Sequence, residues 1–106
     1  MAKFLLEATY TTEGVRGLLK DGGSARRAVV QTAVKKVGGK LEAFYFGFGG
    51  TDVFVLIDGV DTTTAAAIAL HVAASGAVHT KTTVLLTPED VDKACKTSIK
   101  YKAPGE

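Results

Sequence analysis

The chain carries a single cysteine, Cys95, in 106 residues. One thiol cannot close an intramolecular disulfide, and its isolation suits a reducing compartment. There are only two histidines, His71 and His79, and no cysteine or acid stands at suitable spacing beside them. The three or so converging ligands of a metal centre are therefore missing. No Ser-His-Asp or Cys-His constellation can be assembled either, and no motif names a cofactor. An excess of one charge is also absent: 13 Lys and Arg face 11 Asp and Glu, for a formal charge of +2. Nucleic-acid binding would call for a concentrated basic stripe with exposed aromatics, so no nucleic-acid partner is expected. Long apolar runs are lacking too. The alanine-rich run after Thr64 is shorter than the roughly 20 residues of a membrane span and is interrupted by His71. The opening run, Met1 to Glu7, is too short for a signal peptide. These absences predict a soluble, cytoplasmic, one-domain protein that does not bind membranes. A domain this small buries only about two thirds of its unfolded surface, so self-association would add useful burial.

What is present is organised around the stretch from Lys40 to Asp58. Two β-rich runs, about Lys40 to Phe48 and Asp52 to Asp58, flank Gly49-Gly50-Thr51 and should pair as an antiparallel hairpin. Before them, Phe4 to Tyr10 alternates as a strand, with Phe4, Leu6, Ala8 and Tyr10 on one face. Thr11 or Thr12 can cap a short helix whose apolar side would be Val15, Leu18 and Leu19. Asp21-Gly22-Gly23 breaks it. Ser24 is the expected cap of a helix from about Ala25 to Val37, with Ala25, Ala28, Val29, Thr32, Ala33 and Val37 at helical spacing. After the hairpin, Asp61 or Thr62 caps a helix running to about Ser75. Ala77 to Leu86 reads as a fourth strand. Thr87-Pro88-Glu89-Asp90 then starts a last helix to about Thr97. The order βαββαβ predicts an α+β, ferredoxin-like fold: a four-stranded antiparallel sheet with helices on one face, plus a C-terminal helix. Residues 1–97 form the predicted domain and 98–106 a flexible tail.

The uncovered sheet face of such a fold should be polar in a monomer. Here Phe54 and Leu56 alternate with Val53, Val55 and Ile57, while Leu41, Ala43 and Tyr45 alternate with Phe44, Phe46 and Phe48. Large apolar groups fall on both sides, which predicts a homodimer through the open face, forming a dimeric α/β barrel. The rival is a terminal helix folded over that face. The alanine-rich helix, apolar nearly all round, adds a hint of a further interface.

Several residues invite a functional assignment. Gly47-Phe48-Gly49-Gly50 looks like part of a dinucleotide fingerprint, but Asp52 stands where a third glycine belongs and a strand follows instead of a helix. These glycines better suit a turn with positive φ. Asp52 is either a turn carboxylate accepting backbone N–H groups or an acid, base or anchor at a cavity edge. Arg26 and Arg27 lie where the positive end of a helix disfavours cations. They serve either salt bridges or an anionic ligand. Tyr10 and Tyr45 are core-type aromatics with a polar tip that can line a cavity. His71 suits a packed or interface position, His79 an outward one. Cys95 reads as inert.

The central stretch resembles the GYD domain family, small bacterial and archaeal proteins named for a Gly-Tyr-Asp tripeptide. Gly38-Gly39-Lys40-Leu41, Phe44-Tyr45-Phe46, Phe48-Gly49 and Asp52-Val53-Phe54-Val55 carry the resemblance. It continues through Ala73-Ala74-Ser75-Gly76-Ala77-Val78 and Thr80-Lys81-Thr82, with Arg26 or Arg27 after the glycine-rich lead-in, and covers most of residues 3 to 95. Gly50 and Asp52 match the tripeptide, but Thr51 replaces its tyrosine. The resemblance implies a ferredoxin-like fold of the dimeric α/β-barrel kind and no established activity. Kinship to cofactor-independent monooxygenases and heme-handling barrels is one of fold alone. The expected function is binding of a small anionic or apolar molecule by an oligomer, with Arg26, Tyr45, Asp52 and His79 as candidate ligand-binding residues. The rivals are a small monooxygenase- or isomerase-type enzyme using Asp52 or a histidine as base, and a purely structural assembly module.

Overall fold

The computed structural model describes residues 2–106. Strand β1 (Ala2–Tyr10) leads into helices α1 (Thr12–Asp21) and α2 (Gly23–Lys36). The hairpin β2 (Lys40–Phe46) and β3 (Val53–Val60) follows, then α3 (Thr62–Ala74), β4 (Val78–Leu85) and α4 (Pro88–Lys96). All neighbouring strands are antiparallel and their order is β2-β3-β1-β4. The strand order and the βαββαβ chain order together are those of a ferredoxin-like sheet with a C-terminal helix added, as the sequence predicted.

The period-2 pattern of the strands sorts the two faces. Phe4, Leu6 and Ala8 of β1 and Val53, Val55 and Ile57 of β3 are buried on the side that α2 and α3 cover. A bulge at Glu42 shifts the register of β2 between Leu41 and Ala43. An extra residue reverses the alternation. Leu41, predicted to share a face with Ala43 and Tyr45, therefore packs instead on the core with Phe44 and Phe46. Glu42 reaches the outer face and accepts from Lys3 at 2.8 Å, the one ion pair among the described residues.

The hairpin departs from expectation. Strand β2 stops at Phe46, and the positive φ lies at Phe48 (58°), not at Gly49 or Gly50. The left-handed region costs an L-residue roughly 1–2 kcal/mol. The Phe48 ring is stacked on Phe46 at 5.6 Å between centroids, and this contact accompanies the unusual backbone.

The helices carry their own corrections. Thr11 caps α1 by accepting from the Gly14 amide, as predicted. The inward residue of that helix, however, is buried Gly14, while Leu19 is 80% exposed. Ser24 does not cap α2. Its N-cap is Gly22, which has no side chain to do so and whose φ of 85° turns the corner from α1. The inward stripe of α2 is Arg26, Val30 and Val34, at i, i+4 and i+8, with Val34 fully buried. Of the residues read at helical spacing, Val29, Ala33 and Val37 lie exposed. Asp61 caps α3 through the Thr64 amide at 2.7 Å. Thr87 and Asp90 form a capping box on α4, with Pro88 in the first turn.

Helix α4 buries none of its residues. It does not fold over the open sheet, contrary to the rival to dimerisation. The radius of gyration is 16.9 Å, against about 13 Å for a compact domain of this length. The exposed α4 accounts for that extension, together with residues 98–106, which contain no helix or strand.

Candidate functional site

Helices α2 and α3 lie over the sheet with a cleft between them. Val37, Ala67, Ile68 and His71 line its outer part. Beneath it, against β1 and β3, is a cavity of about 100 Å³. Leu6, Ala8, Val34, Val55, Ile68 and Val72 form its apolar walls. Each reaches it by the periodicity of its own element: alternate positions on the strands, and positions four apart on α3.

Among the described residues only two that line the cavity are polar, Tyr10 and Arg26. Tyr10 is the last residue of β1 on the core-facing side. Its main chain is fixed by Asp52, whose Oδ2 accepts from the Tyr10 amide at 2.8 Å. Asp52 is clamped in turn: its amide donates to the Ala8 carbonyl at 3.0 Å, and its carbonyl accepts from the Gly47 amide at 2.9 Å. Burial pushes the Tyr10 phenol above its ordinary pKa of 10.0. The nearby Arg26 charge opposes that shift and the Asp52 charge reinforces it. The phenol is therefore neutral at physiological pH and available as a donor. Arg26 enters from the first turn of α2 on the inward stripe. The residue is half-buried and has no ion-pair partner among the described residues.

The four residues singled out from sequence are not brought together. Arg26 lines the cavity on the helix side. Asp52 acts as a backbone clasp: its carboxylate accepts a backbone N–H, as in one of its two readings, but from Tyr10 on β1 and not from its own turn. Tyr45 is 70% exposed on the outer sheet face, opposite Phe54. His79 is also exposed on that face, opposite Thr9. Tyr45 and His79 belong to the two edge strands with β3 and β1 between them, on the order of 14 Å apart. Tyr10 takes the place beside Arg26 that they were expected to fill. Its position at the end of the Phe4-Leu6-Ala8 face was the available signal. His71 is exposed, with its Nδ1 2.8 Å from the Ala67 carbonyl, and Cys95 is exposed on α4. Among the described residues no group of three or more His, Cys, Asp or Glu side chains is placed to hold a metal. No helix among them is long and apolar enough to cross a membrane.

The outer sheet face has a different character. Tyr45, Phe54, Glu7 and Lys81 form one row across all four strands. The next row is Ala43, Leu56, Leu5 and Thr83. An apolar centre is thus bordered by Glu7, Lys81 and the Lys3–Glu42 pair. Thr51 donates to Glu7 at 3.2 Å.

The family model described as the GYD domain matches residues 4–95, from the first core residue of β1 into α4. No curated protein and no solved structure matches the chain.

Proposed function

The chain belongs to the GYD domain family, and on that footing we propose that it is a small-molecule-binding protein that works as a homodimer. The carrying observation is the cavity under α2 and α3: apolar on its walls, opened by the cleft, with two polar side chains at one end. Binding sites for small ligands have this composition, apolar walls with a few placed polar groups. Pairing is supported by the outer face, where Leu5, Tyr45, Phe54 and Leu56 lie together and α4 leaves them uncovered. An apolar patch of this kind is uncommon on a monomer. Covering a few hundred Å² of it is worth several kcal/mol at about 25 cal/mol per Å². Two sheets meeting there make the dimeric barrel, with each subunit's cavity on the far side of its own sheet.

Asp52 fits poorly as a catalytic base, because its Oδ2 is turned to the Tyr10 amide and the residue does not line the cavity. Native mass spectrometry of freshly purified protein tests the proposal. The expected result is a dimer with a small molecule retained. A monomer at micromolar concentration overturns the pairing. Loss of the binding role would follow if nothing is retained and no small apolar compound raises the melting temperature.

A further inference from the structure

Among apolar neighbours, one cation on the inward stripe of a helix needs explaining. In α2 that stripe runs Arg26, Val30, Val34, and all three residues line the cavity. Position 26 would hold another apolar residue if the stripe served packing alone. No carboxylate lines the cavity, and Arg26 has no ion-pair partner among the described residues. The nearby acid, Asp52, turns Oδ2 to the Tyr10 amide and makes no ion pair with Arg26. Tyr10 adds a second side-chain donor at the same end, close enough for the Arg26 charge to act on its phenol.

We infer that the cavity takes a small apolar monocarboxylic acid, its carboxylate held by Arg26 and the Tyr10 hydroxyl and its hydrocarbon body against Val34, Val55 and Val72. This rests on the cavity being the binding site proposed above and names the chemistry it selects. A ligand that fills the space beside half-buried Arg26 takes water away from its charge. A neutral ligand leaves the charge uncompensated and a cationic one repels it, whereas a carboxylate supplies two oxygens matched to the guanidinium fork. A phosphate, carrying more charge and more acceptor oxygens, would find only these two side chains to meet them. Size points the same way. The cavity is about 100 Å³, while an enclosed apolar cavity of roughly 150 Å³ holds benzene. The space is smaller than a ring needs by itself, so a single ring or a branched chain of roughly six carbons fills it and reaches into the cleft above, which shares Ile68 and Val72 with it.

The test compares three probes of one shape, benzoate, benzyl alcohol and benzylamine, by NMR titration of the full-length protein, read at the Val34 and Val72 methyl groups. Wild type should bind benzoate at least tenfold more tightly than benzyl alcohol, with benzylamine weakest. Arg26→Gln should remove the preference for benzoate while benzyl alcohol still binds. Arg26→Lys should keep the preference in weaker form, which separates loss of charge from damage to the helix. Tyr10→Phe should narrow the gap without abolishing it. Equal binding of benzoate and benzyl alcohol by wild type, or a preference that survives in Arg26→Gln, overturns the inference and leaves the cavity as a neutral apolar site. If none of the three probes moves the Val34 and Val72 signals, the cavity is no binding site and both conclusions fall.

Discussion

The Tyr10 amide donates to the Asp52 carboxylate at 2.8 Å, across 42 positions of sequence. This bond ties the end of β1 to the entry of β3 and places the Tyr10 ring at the end of the cavity. Asp52 is therefore a strut for the site. Removing the acceptor with Asp52→Ala orphans a part-buried amide, at a cost of about 1–3 kcal/mol. Asp52→Asn keeps an oxygen in place and should lose less. Thermal melts of both variants check this, at about 4–8 °C per kcal/mol for a domain of this size. Melting of Asp52→Ala at the wild-type temperature would remove the strut role.

Gly14 is the point where α1 meets the sheet. A Cβ there would run into the Ala77 carbonyl oxygen and come within 2.8 Å of the Tyr10 ring. That carbonyl already accepts from the Thr11 amide at 2.9 Å, so it cannot move freely. Gly14→Ala should destabilise by about 1–3 kcal/mol, despite alanine's better helix propensity. Gly17→Ala on the same helix meets nothing within 4 Å and should be neutral or slightly stabilising. Urea unfolding of the two variants separates close approach from propensity, and equal effects would argue against the contact.

Some parts of this fold could be read before the structure and others could not, for physical reasons. Alternation in β1 and β3 is strict, so Phe4-Leu6-Ala8 and Val53-Val55-Ile57 declared their face. The caps at Thr11, Asp61 and Thr87 depend on local chemistry and were equally legible. Helix α2 was misread because it carries two apolar stripes. The longer one, through Val29, Ala33 and Val37, lies exposed along the cleft. The shorter, Val30 and Val34, faces in and continues to Arg26, which a hydrophobic pattern cannot count. The bulge at Glu42 was invisible for a related reason, since one extra residue leaves composition unchanged while reversing Leu41. The cavity is a void between distant segments, and no local pattern records a void. Arg26 could be suspected as a misplaced cation, but only the fold puts Tyr10 beside it.

Acid should weaken the fold through two caps. The Asp61 carboxyl is held below its ordinary value of 3.8, chiefly by the Thr64 amide. Asp90 is held below the same value, chiefly by the Thr87 amide. A carboxylate whose folded pKa is depressed contributes stability that is fully present above the unfolded value and lost as pH falls through the folded one. Lys3 behaves oppositely. Its hydrogen bond to Glu42 raises its pKa above 10.5, so its contribution holds below that value and fades as pH rises further. All three groups are solvent-exposed, and the effects should be small. Urea melts from neutral pH into the acid range should show a decline below about pH 3.8. An Asp61→Asn, Asp90→Asn double variant, which keeps the acceptors without the titration, should decline less. An identical acid profile for variant and wild type would show that other carboxylates govern the transition.

The open sheet face supplies the sharpest test of assembly. Phe54 lies at its centre, between Tyr45 and Glu7, and is 37% exposed. Buried aromatic residues near the middle of an interface commonly carry about 2–4 kcal/mol of its affinity. Phe54→Lys puts a charge where two sheets would meet. It should weaken self-association by roughly thirtyfold to several hundredfold by sedimentation velocity, since each tenfold corresponds to about 1.4 kcal/mol. Leu19→Lys provides the control, because Leu19 is 80% exposed on α1, away from the sheet. It should leave the dimer unchanged. Circular dichroism on both variants guards against loss of fold. A dimer that survives Phe54→Lys but dissociates in Leu19→Lys would move the interface from the sheet to the helices and leave the apolar centre of the sheet without a partner.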